Sequence, residues 1–154
     1  MKLQDFDFRI WDSNINKFVK VLIDDNIRVV PRNDDNIEIE LWSGFYDKNG
    51  KKIYEGDIVK YDSRTKPLVA VFERSTFYIV DTSIEKHLQV DCGTRLQGIY
   101  ENGNNGYTNN KLECLEVIGN IHENADLLEK ERGLIMRIEC KYEDIYDSKG
   151  FPKY

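Results

Sequence analysis

The sequence predicts a mainly β protein: a partly open small barrel of the SH3-like type, with one short helix and a C-terminal extension. Three observations carry this. Apolar and polar residues alternate in short stretches such as Phe6-Asp7-Phe8-Arg9-Ile10, the period of a half-buried strand. Clusters of Asp, Asn and Gly interrupt those stretches at short intervals. Aromatic residues make up 12%, with 9 Tyr and 7 Phe, and aromatic side chains favour strands. The SH3-like comparison rests on the order of a Gly-Asp turn, a strand and a hairpin, and it carries no function.

Bulk properties narrow the field. A chain of 154 residues with 40% hydrophobic content suits one domain with a sizeable core. The formal net charge of −6 weighs against a dedicated binder of phosphate backbones. Three widely spaced cysteines, Cys92, Cys114 and Cys140, with no export signal at the N-terminus, fit a reducing cytosol. No apolar run approaches the length needed to span a membrane, so no membrane partner is expected.

In chain order, residues 6–12 read as a strand, with a turn at Ser13-Asn14. Residues 18–23 and 27–30 read as two more, so the first 30 residues form a meander ended by Pro31. Ile37 to Trp42 alternates, which predicts Ile37, Ile39 and Leu41 on the core face, with Glu38, Glu40 and Trp42 on the other. Asn49-Gly50 lies between two apolar runs and suits a type I′ hairpin turn. Glu55-Gly56-Asp57 breaks the chain again before Ile58-Val59. Leu68 to Phe72 and Phe77 to Val80 form a second hairpin around a four-residue turn. Residues 81–91 are either a short helix capped from Asp81-Thr82-Ser83 or an extended insertion. Arg95 to Tyr100 reads as a strand and residues 102–110 as a mobile loop. Leu112 to Ile121 is a strand interrupted at Gly119-Asn120. Asn124 then caps a short helix near residues 124–132, with Leu127 and Leu128 inward and Gly133 as its stop. The expected core is Phe8, Ile10, Val21, Ile23, Ile39, Leu41, Ile53, Ile58, Val69, Val71, Ile79, Val117 and Ile121.

Ser43 to Lys60, with Asp47-Lys48-Asn49-Gly50 and Tyr54-Glu55-Gly56-Asp57 at its centre, resembles the signature of the YopX family of bacteriophage and prophage proteins. Phe8-Arg9-Ile10-Trp11-Asp12 resembles the family's opening strand, although the family commonly has a small residue where Ile10 stands. Glu116 to Asn124 resembles its closing motif. The resemblance covers residues 6–129. It implies a mostly β, barrel-like domain of phage origin in the cytoplasm of a bacterial host, and it implies no reaction. The expected organisation is a barrel domain over residues 1–132 and an extension over residues 133–154. Residues 134–143 alternate again, so they predict an added strand that pairs within the barrel or joins a second copy in a homo-oligomer.

No catalytic constellation is visible. His87 and His122 are the only histidines, and neither has further ligands at metal spacing in the sequence, so neither metal nor cofactor is expected. Ser43-Gly44 lacks the preceding Gly of a nucleophile elbow. Asp57 and Glu55 read as turn residues that accept backbone N–H bonds. The chain is therefore expected not to be an enzyme but an accessory protein that binds a host or phage protein. The expected contact residues are Trp42, Tyr46, Lys48, Lys51, Lys52, Tyr54, Lys60 and Tyr61. The alternative is nucleic-acid binding on the basic and aromatic hairpin face of residues 46–66, which small β-barrels can perform by stacking bases above a basic groove.

Overall fold

The structure, a computed structural model, describes residues 6–19, 35–103 and 109–129. Strands β1 (Phe8–Asp12), β2 (Lys17–Val19), β3 (Ile37–Tyr46) and β4 (Lys52–Tyr54) form an antiparallel sheet in the order β2-β1-β3-β4. Strands β5 (Asp57–Lys60), β6 (Leu68–Glu73), β7 (Thr76–Val80), β8 (Thr94–Arg95) and β9 (Glu116–Asn120) form a second sheet in the order β8-β7-β6-β5-β9. One sheet curls into a half-barrel, so the mainly β class expected from the sequence holds. Helix α1 (Lys86–Gln89) and helix α2 (Leu96–Asn102) flank β8, and residues 126–129 make a further helical turn.

The five-stranded sheet is buried on both faces. Val59, Ala70, Ile79 and Val117 point to one cluster, shared with Phe45, Ile53, Leu96, Leu112 and Leu115. Their neighbours Ile58, Val69 and Val80 point to the other, where Val90, Leu127 and Leu128 pack. Burial on both sides explains why Ile58-Val59 and Leu68 to Phe72 read as continuous apolar runs and not as alternations. Each fully buried aliphatic side chain of this kind contributes about 1.5–3 kcal/mol.

Several expected elements differ. Arg95 to Tyr100 is not a strand. Helix α2 places Leu96, Ile99 and Tyr100 at helical spacing against the first cluster, and that burial overrides the strand preference of Ile and Tyr. Strand β9 runs on through Gly119 and Asn120, which pair with Ile58 and Asp57; the irregularity lies at Ile118, where the register shifts before Val117 pairs with Val59. The type I′ turn lies not at Asn49-Gly50 but at Arg74-Ser75, whose φ angles are 52° and 59°. Glu73 pairs there with Thr76, so the four-residue turn expected over Glu73 to Thr76 closes on a two-residue loop. The Phe72–Phe77 ring pair beside it, centroids 4.9 Å apart, fixes the register that demands such a turn. The short α1 resolves the ambiguity at residues 81–91, although no side chain caps it. The strand at 27–30, the core positions Val21 and Ile23, Gly133 and the added strand at 134–143 lie outside the described residues, as does most of the 102–110 loop.

At the β3–β4 turn only Gly50 has a positive φ, 79°. Gly50 N–H donates to the Asp47 carbonyl at 3.0 Å, so a type I turn ends in a left-handed glycine. The Asp47 side chain organises it. Its Oδ1 accepts from the Asn49 and Lys51 amides at 2.9 and 2.8 Å, and its Oδ2 accepts from the Val117 amide at 3.0 Å. One buried carboxylate thereby ties the hairpin of the first sheet to β9 of the second. Asp47→Ala leaves three amides without this acceptor and is expected to lower stability by about 3 kcal/mol in urea denaturation.

Candidate functional site

The polar face of β1 and β3 meets the corner of the second sheet. Arg9 stands opposite Glu40, and Trp11 opposite Glu38. The expected orientation of β3 is therefore reversed in its consequence. Glu40 is 3% exposed and Ile39 is 46% exposed, while Leu41 is half-buried. Ile39, Leu41, Phe8, Val71 and Ile121 do not join the fully buried core; Ile10, Ile53, Ile58, Val69, Ile79 and Val117 do. Alternation identifies two faces of a strand but cannot say which is covered. Here ion pairs and hydrogen bonds to the second sheet cover the face that carries the glutamates.

Arg9 is the centre of these contacts. Its Nε donates to Glu40 Oε2 at 2.5 Å, and its Nη2 donates to Asp57 Oδ1 at 2.7 Å and to the Glu55 carbonyl at 3.2 Å. The guanidinium lies between the Phe18 and Tyr54 rings, 4.6 and 4.7 Å from their centroids. Asp57 Oδ2 also accepts from the Tyr54 amide at 2.8 Å. Glu40 Oε1 lies 2.8 Å from His122 Nε2, and Glu38 Oε2 lies 3.5 Å from that nitrogen. The His122 ring stacks on Trp11, with centroids 4.5 Å apart and planes 8° apart. Gly56 is required beside this group: its φ is 81°, and a Cβ there would collide with Glu40 Oε1.

Glu38, Glu40 and Glu55 also line a cleft of about 130 Å³ whose walls include Ile39, Val69, Val71 and Ile121. Burial raises the Glu55 pKa above its ordinary value of 4.5, and the charges of Glu40 and Glu38 push it the same way.

The eight expected contact residues do not form one patch. Trp42, Tyr46, Lys52 and Tyr54 come together on one face of β3–β4, since Trp42 pairs with Tyr54 and Tyr46 with Lys52. Trp42 is half-buried and its Nε1 donates to the Phe45 carbonyl at 3.0 Å. The Tyr46 ring meets it edge-on at 5.4 Å, and Lys52 Nζ lies 4.5 Å from its centroid. Asp7 Oδ2 accepts from both Lys52 Nζ and the Tyr54 hydroxyl at 2.6 Å. Burial opposes ionisation of Asp7, yet these two donors outweigh it and hold its pKa below the usual range. Burial, with the Asp7 charge, drives the Tyr54 hydroxyl well above it. Lys48 and Lys51 sit exposed at the turn, and Lys60 and Tyr61 lie at the far end of β5. Sequence reasoning missed Arg9, Glu38 and Glu40 as site residues. The contact of His122 with Glu40 leaves no local signal, because 82 positions separate the two residues.

Arg9→Met is expected to destabilise the fold by about 3–5 kcal/mol in urea, because it strands two buried carboxylates. A raised folded pKa means that ionised Glu55 opposes folding. Stability is therefore lost as pH rises from 4.5 through the folded value. Glu55→Gln removes that loss. Denaturation midpoints are expected to favour the variant more at pH 7 than at pH 4, and an equal difference at both would contradict this.

A family model described as YopX protein matches residues 10–129. The match takes in Glu38, Glu40, Asp57 and His122 and begins one residue after Arg9. No curated protein matches the sequence. Among solved structures, the crystal structure of protein EF1440 from Enterococcus faecalis is similar over 79% of this chain and 96% of that one, with 24% identity and a TM-score of 0.45. The family match spans well over half of the 154 residues, and the chain belongs to the YopX family.

Proposed function

We propose that this chain is a non-catalytic accessory protein of phage or prophage origin that binds a protein partner in the bacterial cytoplasm through the Trp42–Tyr46–Tyr54 row. The supporting observation is the pre-set aromatic face itself. Trp42 is held by its indole hydrogen bond, Tyr54 by Asp7, and both flank Lys52. Held aromatic side chains lose little conformational entropy on association, and Trp and Tyr dominate the energetics of protein interfaces.

The ion pairing of four basic side chains between residues 48 and 66 favours a protein over a nucleic acid. Lys48 pairs with Glu116, Lys52 with Asp7, Arg64 with Asp62 and Lys66 with Asp81. Phosphate binding would compete with four carboxylates already in place, on a chain of net charge −6. A non-catalytic role accords with the engagement of Glu40 and Asp57 by Arg9, which leaves neither as a free base.

The test pairs two measurements. Immobilised protein is expected to retain a specific host or phage protein, and Tyr46→Ala is expected to weaken retention by about 30-fold, a hot-spot effect of about 2 kcal/mol. Titration with labelled single- and double-stranded DNA and RNA at low and moderate salt is expected to show no binding. Salt-sensitive nucleic-acid binding that is lost on replacing Lys51 and Lys60 by Ala would overturn the proposal in favour of the nucleic-acid reading. Retention of no protein above background would overturn it outright.

A further inference from the structure

We propose that Glu38, Glu40 and His122 form a binding site for one divalent first-row transition-metal ion, of the zinc or manganese class, which pins β3 to the turn after β9. This site lies at the other end of β3 from the aromatic row and does not depend on it.

The geometry carries the argument. One oxygen of each glutamate and one ring nitrogen of His122 all lie within 4.8 Å of one another. Two of the separations are 2.8 and 3.5 Å. Donors bound at about 2.0–2.2 Å stand roughly 3.0 Å apart in octahedral and about 3.4 Å apart in tetrahedral coordination. Small side-chain adjustments therefore admit an ion between the three atoms. One imidazole and two carboxylates form a mixed nitrogen and oxygen set that suits zinc or manganese better than calcium.

The surroundings are those of a prepared ligand set. Arg9 and Asn120 both hold Glu40 Oε2, at 2.5 and 3.5 Å, so Oε1 faces His122. Trp11 fixes the imidazole plane. Such outer contacts orient metal ligands and raise affinity. Arg9 pairs with Glu40 and Asp57, and Glu38 and Glu55 line the same cleft as Glu40, so carboxylates outnumber the guanidinium here. A divalent cation offsets that excess. Glu38, whose side chain is 59% exposed, supplies the solvent-facing ligand and the route of entry.

Trp11 supplies a local readout. The chain has two tryptophans, so Trp42→Phe in the full chain leaves Trp11 alone. After treatment with chelator, Co²⁺ is expected to quench Trp11 fluorescence saturably at one ion per chain, and Zn²⁺ is expected to compete. Zn²⁺ alone is expected to raise the thermal midpoint as its concentration rises, by mass action. Glu38→Gln, an exposed change that leaves the Arg9 contacts intact, is expected to weaken Co²⁺ at least tenfold. His122→Gln is expected to abolish the quenching, with folding checked by circular dichroism. Quenching without saturation, or equal Co²⁺ affinity in Glu38→Gln, would overturn the site.

Discussion

The guanidinium of Arg9 joins the two sheets. It leaves β1, passes between two aromatic rings and binds a carboxylate on β3 and another on β5. Both carboxylates are nearly inaccessible, with side-chain exposures of 4% and 2%. Taking such charges out of water costs several kcal/mol each, and only close, well-directed contacts offset it. The planar fork of arginine supplies several donors in fixed directions, which a lysine could not. The interaction is therefore a constraint more than a source of stability: β1 must sit where both carboxylates can be reached.

A set of buried polar side chains extends the same device. Glu40, Asp47, Asp57 and Asn120 are the buried polar residues among those described, and each bonds across the chain. Asp47 joins the hairpin to β9, Asp57 joins β5 to Arg9, and Asn120 reaches both Glu40 and the amide of His122. Among the described residues no buried side-chain polar atom lacks a partner. This matters because an unpaired buried group would cost about 1–3 kcal/mol. The corner between the sheets is thus held by directional polar contacts, whereas the five-stranded sheet is held by non-directional apolar burial on its two faces.

That division also explains what could be read in advance. Apolar runs located β5, β6 and β7, because burial on both faces leaves a continuous signal. Leu127 and Leu128 were legible as an inward pair because they follow Asn124, a residue that favours a helix start. The reading failed where two local preferences compete. Residues 96–100 carry β-forming side chains at helical spacing, and packing against the core selected the helix. Arg74-Ser75 has no turn signature, yet strand twist and the facing phenylalanines demanded left-handed backbone there.

By itself the sequence determined the mainly β class, the positions of most strands, the hairpin at Asp47 to Lys51 and the membership of a family through motifs local in the chain. These all depend on residues within a few positions of one another, where periodicity and turn chemistry act. Only the tertiary structure decided which face of β3 is covered, that Glu40 and not Ile39 is buried, and that His122 meets Glu38 and Glu40 on a ring stacked against Trp11. Those contacts join residues 82 to 111 positions apart. Their energies come from desolvation and charge pairing, which exist only once two distant strands have been brought face to face.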